Sequence, residues 1–520
     1  MDKLDPNLNS PFQIDYKAIK EHRDAKKDEA KKLNRLLQGT RDGYVSGIIK
    51  SGIPEGLKEL AKEKEKKEWT VLLYMDGYND LEAYTANAFL DLESIGSDGN
   101  MNVVAEMGRI SQEELKKINE KMGRPYEPTN IDGDWSGVRK YYVNRDTPGD
   151  AGAVDRIDSP VLEDLGEKDM SSPDTLAEFL TWGIKNYPAK HYMVVLMDHG
   201  GGWTGAFTND ATGSGGHIMS NPQIAEAFAR TEKETGVKPD VVHMAACLMA
   251  STESAYELKN SANYLVASEE MGTTLGFQYG PILDRLQQDI VDGKEVTGES
   301  IAKSIVEHYS DKPAAFATKS AIDLSKMDNV KNALDTFAQK LRKTDTPKEV
   351  LSEVIEEAQN FSRKFFYEFY SHTRDLYSVA EKIVKSEKVT DKELKESATG
   401  MMKAVKDAVI ANVSNVYSRR KVLSNYKSQD GKENISLVEV AEGKFDAAGL
   451  SIYLPYKTNY VDHFLKEGKG YRELATSKET EWDEFLVEKF GSPPKAEEME
   501  NKERPEIENS DNGNETSENN

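Results

Sequence analysis

A single cysteine in 520 residues excludes an internal disulfide framework and any cysteine-rich zinc site. No apolar run approaches the roughly 20 residues that a membrane helix needs. The opening residues, Met1 to Pro6, lead into no apolar core of a secretory signal, so neither a membrane span nor a leader is expected in the chain as written. Basic side chains are outnumbered 68 to 91, and the formal charge of −23 argues against a nucleic-acid or anionic-membrane surface. No P-loop occurs, no Gly-x-Gly-x-x-Gly opens a helix after a strand, and no His-Glu-x-x-His is present. Nucleotide binding and zincin-type hydrolysis therefore have no motif behind them.

What is present is enough chain for two to four domains, 38% hydrophobic and 31% charged. Residues 1–68 form a charged helical arm with the character of a pro-segment. From Trp69 the pattern changes. Trp69 to Met75, Met101 to Met107, Arg139 to Val143, Tyr192 to Met197, Asp240 to Ala246 and Tyr264 to Ser268 are short apolar runs rich in β formers. Helical stretches alternate with them through about residue 290. This predicts an α/β fold, an α/β/α sandwich on a mostly parallel sheet.

Residues 291–490 read as an α-rich lobe, with helices at Val296–Tyr309, Val330–Lys343, Lys348–Phe366, Asp391–Val413 and Trp482–Phe490. This lobe returns at least one strand, Gly449 to Leu454, to a sheet. The last segment, 491–520, carries nine acidic against three basic residues and almost nothing apolar, so it is expected to be disordered.

The lone cysteine, Cys247, stands where the Asp240-to-Ala246 strand runs out, with a helix expected to begin directly after it. The strand Tyr192 to Met197 ends in Asp198-His199-Gly200-Gly201-Gly202-Trp203. Ligands of open parallel sheets bind outside the carboxyl ends of the strands. A thiol and an imidazole on that rim are the parts of an activated nucleophile. His199 can take the thiol proton, and the Gly200 and Cys247 amides can face an oxyanion.

Asp198 adjoins His199 on extended backbone, where neighbouring side chains point to opposite faces, so a dyad without a carboxylate orienter is expected. His243 lies too far along its own strand from Cys247 for proton transfer. His217 follows a glycine-rich loop and reads as a surface residue. The acidic turns Asp76-to-Asp80 and Asp132-to-Asp134 offer oxygen ligands of the kind calcium takes. His199-to-Gly202 also matches the oxyanion glycines of some esterases, but Ser214 in Thr212-Gly213-Ser214-Gly215-Gly216 lacks the first elbow glycine and follows no strand.

Four segments in order, Trp69-to-Met75 with Leu81-Glu82, Asp198-to-Trp203, Ala246-to-Met249 and Ser268-to-Glu270, make residues 69–290 resemble the clostripain family of cysteine peptidases. That family belongs with the caspase-like, gingipain and legumain peptidases. The resemblance implies a caspase-like fold, a dyad mapped onto His199 and Cys247, and an oxyanion hole from the Gly200 and Cys247 amides. It further implies peptide or protein substrates cut after Arg or Lys, frequent calcium stimulation and export from bacteria.

Self-cleavage between histidine and cysteine is also implied, with Arg230, Lys233 and Lys238 as the basic residues available. A monomer is expected. The family pattern Asp-Ala-Cys is here Ala245-Ala246-Cys247, so the acid that pairs with a basic P1 side chain is missing. Glu269 and Glu270 are the substitutes to consider, with Gly276 in the substrate wall. A catalytically inactive relative that only binds is the rival reading, and a serine esterase a third.

Overall fold

The computed structural model describes residues 66–121, 126, 128, 131–146, 156–208, 217–272, 279–310, 318–361, 372–414, 416–417, 421–427, 433–439, 443–444, 446–455 and 470–491. The arm through residue 65, the tail from 492, the Ser214 loop and Gly276 lie outside them.

Nine strands form the main sheet. In chain order they are β1 (Lys67–Gly77), β2 (Met101–Arg109), β3 (Gly137–Tyr142), β4 (Val161–Gly166), β5 (Ala189–Met197), β6 (Val241–Ala245), β7 (Tyr264–Ala267), β8 (Thr318–Asp323) and β9 (Val409–Ser414). Their spatial order is β9-β8-β7-β6-β5-β1-β2-β3-β4. The five central strands, β7 to β2, pair in parallel. Antiparallel pairs extend both edges.

Central parallel strands are covered on both faces and so must be apolar on both. Leu72 and Tyr74 of β1 enter one core, whereas Val71, Leu73 and Met75 enter the other.

The helices are α1 (Glu82–Glu93), α2 (Gln112–Lys121), α3 (Pro173–Asn186), α4 (Asn221–Thr235), α5 (Thr252–Glu257), α6 (Gly280–Val291), α7 (Gly298–Ser310), α8 (Met327–Lys343), α9 (Lys348–Glu357), α10 (Leu376–Lys385), α11 (Lys392–Ala408), α12 (Ala475–Glu479) and α13 (Trp482–Phe490). Helices α1, α6 and α7 supply the core under Met75, and α3, α4, α8, α10, α11 and α13 supply the core under Tyr74. The result is the expected α/β/α sandwich on a mostly parallel sheet. Helices and strands from beyond residue 290 complete its layers and one edge.

Local chemistry sets the ends of these helices. Ser172 caps α3, with its side chain accepting from the Asp174 N–H, and Pro173 opens the first turn. Ser220 and Gln223 form a capping box on α4, which Gly236 ends in a left-handed turn.

Two expected helices are shorter than their periodicity implied. The 391–413 stretch leaves the helix at Ala408, and Val409–Ser414 becomes strand β9 beside β8. β-Branched Val409, Ile410 and Val413 lose rotamer freedom in a helix, and a sheet edge was open to receive them. The 348–366 stretch ends at Glu357, where Ala358 turns extended. The late strand appears as Ser451–Tyr453, antiparallel to Thr373–Asp375, and the Ser451 N–H donates to the Ala250 carbonyl at 2.9 Å.

Two buried charges bear on stability. Glu82 and Arg109, both fully buried, are joined at 2.5 Å, with Arg109 also donating to the Ile131 and Gly133 carbonyls. Glu106 lies on β2 with Lys140 at 4.0 Å, and burial pushes its carboxyl up to about 8.

A carboxyl raised in the folded state binds protons there that the unfolded chain has released. Its favourable contribution is present below the unfolded value and is lost as pH rises through the folded one. Glu106→Gln, neutral at every pH, is therefore expected to be more stable than the parent at pH 9, on the order of 1 kcal/mol or more, and to lose that advantage by pH 4. Urea denaturation of both proteins at the two pH values checks this.

Candidate active site

Register alone brings the histidine and the cysteine together. Met197, the last residue of β5, stands opposite Ala245, the last of β6. His199 and Cys247 each lie two residues further, just beyond the paired ends of these adjacent strands. Gly200 shows how tightly the two turns pack. A Cβ there would lie 2.3 Å from the Cys247 carbonyl oxygen and 2.9 Å from its nitrogen. Only glycine lets the His199 turn pass so close to the Cys247 backbone.

The turn after β6 differs from expectation. No helix begins directly behind Cys247. Leu248 is left-handed at φ 65°, and α5 starts at Thr252 with Ser251 as its cap. Gly272 donates to Cys247 Sγ at 3.3 Å.

The loop that brings Gly272 there is held at Thr318, whose Oγ1 accepts from the N–H groups of Glu269 and Glu270 at 3.0 Å. Cys247 is half-buried and packs near Leu248, Phe361 and Met271. Burial pushes its thiol up to about 11, with the Glu270 charge adding to the rise and the Gly272 hydrogen bond and Lys319 opposing it.

Asp198 behaves as the alternation of an extended strand requires and faces away from the thiol. It lies against Asp76, which β1 carries at the same level because Met75 stands opposite Met197. Asp198 accepts from Asn79 Nδ2 at 2.7 Å and from the Thr208 N–H at 2.8 Å, while Asp76 accepts from the Tyr78 N–H at 2.9 Å. Burial raises both carboxyls, Asp198 to about 6.

The carboxylate that reaches His199 is Asp80, in the turn between β1 and α1, with its Oδ1 at 2.7 Å from Nε2. By sequence Asp80 belongs to an acidic turn with oxygen ligands of the kind calcium takes, with no motif to tie it to the histidine. Its position after the central strand, on the same rim as His199, was the available signal.

The two acids considered for P1 recognition part company. Glu269 is fully buried, accepts from the Gly449 N–H at 2.9 Å, and lies against Asp375. Asp375 accepts from the Ala448 and Ser378 N–H groups, so the two carboxyls clasp the late strand to the end of β7. Burial raises both, Asp375 to about 6. Glu270 is half-buried, and its charge acts on the Cys247 thiol.

Ala245 is fully buried in the core under Met75. On the same side, burial holds His243 well below the usual imidazole range, with Lys319 Nζ at 3.4 Å from its Nε2. Exposed His217 meets Ser171 Oγ at 3.1 Å through Nδ1.

Arg230 and Lys233 lie inside α4, and Lys238 precedes Pro239. A helical backbone and a tertiary amide are both poor peptidase substrates. The acidic side chains of the two turns accept hydrogen bonds from neighbouring groups. Asp132 accepts from Trp135 Nε1, Asp134 from the Gln112 N–H, and Asp76 and Asp80 are engaged as above. No group of three potential ligand side chains converges among the described residues.

A thiol and an imidazole stand just beyond the ends of adjacent parallel strands in an open α/β/α sheet. The chain belongs to the clostripain family, peptidase C11, whose family model matches residues 73–489, and with that family it is a cysteine endopeptidase.

Clostripain of Hathewaya histolytica is 24% identical over 485 residues, 80% of this chain and 82% of clostripain. Two solved structures share the fold. An inactive zymogen C11 protease from Parabacteroides distasonis is 18% identical, with TM-score 0.50 over 80% of this chain and 98% of its own. The secreted C11 cysteine protease iotapain from Bacteroides thetaiotaomicron is 13% identical, with TM-score 0.52 over 80% and 99%.

Gly200→Ala is expected to displace the Cys247 turn while leaving the sheet intact. Peptidase kcat/KM should fall by about 10²-fold, the scale of losing one oxyanion donor, with an unchanged far-ultraviolet circular dichroism spectrum. Steady-state kinetics on a peptide substrate checks it.

Proposed function

We propose that Cys247 and His199 hydrolyse peptide bonds through an acyl-enzyme. The observation that supports this reading is the close approach of the His199–Gly200 turn to the Cys247 backbone, beyond the paired Met197 and Ala245. His199 takes the Cys247 proton as sulfur bonds to the scissile carbonyl carbon, and the Gly200 and Cys247 N–H groups face the oxyanion. Collapse of the tetrahedral species breaks the C–N bond, and the imidazolium returns its proton to the leaving amine. Water, deprotonated by His199, then attacks the thioester and releases the acid and the thiol.

For P1, the family's preference for Arg or Lys is carried here by Glu270 rather than by the position of Ala245. Glu270 is the half-buried acid whose charge reaches the thiol, while Glu269 is committed to the clasp. Self-cleavage after Arg230, Lys233 or Lys238 is not part of the reading, for the backbone reasons given above.

A second reading, a folded relative that binds without cleaving, is supported by the burial that pushes the Cys247 thiol up to about 11 and so depletes the thiolate. Mass spectrometry of a positional-scanning peptide library, incubated with the parent protein and with Cys247→Ala, separates the two readings. Cleavage by the parent alone, concentrated after Arg and Lys and shifted away from them by Glu270→Gln, is the expected outcome. Cleavage by neither protein would establish the non-catalytic reading. Cleavage by both would remove Cys247 from the chemistry.

A further inference from the structure

A neutral imidazole serves as a base only if the correct ring nitrogen is unprotonated, and something must hold it in that tautomer. Asp198, the nearest carboxylate in sequence, cannot do so, because strand alternation turns it to Asp76 on the other face of the sheet. Asp80 is placed to do so. Its Oδ1 stands 2.7 Å from His199 Nε2, within the range of charge-assisted hydrogen bonds, and its side chain is only 12% exposed beside a His199 that is 41% exposed. A carboxylate can only accept. A neutral His199 held this way carries its hydrogen on Nε2, the nitrogen that meets Asp80.

The turn carrying Asp80 is braced from both sides. Asn79 Oδ1 accepts from the Leu81 N–H at 2.9 Å, an Asx turn that fixes the backbone around Asp80. Asn79 Nδ2 donates to Asp198 Oδ1 at 2.7 Å and to the Thr208 carbonyl at 3.3 Å. The turn after β1 is thus fastened to the residue preceding His199 and to the strand just beyond it. Such bracing holds a side chain to the tolerance a proton-transfer site demands.

We infer that Asp80 is the positioning residue of the pair, holding His199 in the Nε2–H tautomer with Nδ1 presented to Cys247 and stabilising the imidazolium formed during catalysis. The inference rests on the peptidase reading for its kinetic consequences, but the tautomer can be read without turnover.

Two measurements test it together. The first is nitrogen-15 histidine NMR of Cys247→Ala, with the His199 signals assigned by their loss in His199→Gln. An unprotonated Nδ1 and a protonated Nε2 are expected at pH 8, and a mixture of tautomers when Asp80→Asn is added. A mixture already present with Asp80 intact would overturn the inference, whether or not the chain is a peptidase.

The second is the kinetics of Asp80→Asn and Asp80→Glu in the otherwise native chain. Asp80→Asn should lower kcat by about 10²–10⁴-fold with KM within threefold, and Asp80→Glu should recover part of that loss.

The acid limb of kcat/KM should move to lower pH in Asp80→Asn, because a neighbouring carboxylate favours the charged imidazolium and its removal lowers the imidazole value. Asp198 also acts on His199 and does not change in this comparison. An Asp80→Asn enzyme within threefold of the parent in kcat, with an unmoved acid limb, would overturn the inference. A parent that cleaves nothing while the NMR result holds would sink the peptidase reading and leave the Asp80 pairing standing.

Discussion

The register between β5 and β6 is the constraint from which the site follows. Met197 faces Ala245, and Met75 faces Met197, so these three residues stand level on three adjacent parallel strands. A slip of one residue in either pairing would exchange every inward and outward side chain of the slipped strand. His199 and Cys247 would then no longer stand beyond paired strand ends, and the Asp76–Asp198 pair would part as well. Apolar side chains on both faces of β1, β5 and β6 hold the register, since each fits a different packed layer. Catalytic geometry is here a by-product of core packing.

Beneath that rim the chain buries carboxyls in pairs. Asp76 lies with Asp198 and Glu269 with Asp375, and each pair accepts backbone N–H groups from segments distant in sequence. Burial favours the neutral carboxyl, and the N–H donors stabilise a charge that remains. Glu253 does the same singly, accepting from the Tyr453 N–H and the Tyr471 hydroxyl. These groups act as polar rivets through an apolar sheet. They explain how loops at the rim keep one conformation although few of their residues are hydrophobic.

The central strands, and the place of His199 and Cys247 at their ends, are legible in the sequence for a local reason. Strands buried on both faces read as continuous apolar runs, and the residues that follow them mark the rim. Asp198 was rejected as an orienter by alternation alone, and its side chain does face away. Asp80 escaped notice because its pairing with His199 spans 119 residues, a distance that no local pattern encodes. Glu269 read as a candidate rim acid because its partners, Asp375 and Gly449, lie far downstream. Leu248 was placed in a helix on propensity, but its turn is imposed by Gly200, the Glu270 carbonyl and the late strand rather than by its own preference. Val409–Ser414 was taken into a helix for want of knowing that a sheet edge awaited it.

The late strand also sets a clock. Ser451 donates its N–H to Ala250, and Tyr453 donates to Glu253, so the segment directly behind Cys247 is completed by residues two hundred positions later. Contacts of such sequence separation form late in folding. During synthesis the nucleophile's loop thus lacks its backing until the chain has passed Leu454. A nascent chain that already carries both His199 and Cys247 remains chemically unfinished while it is still being made.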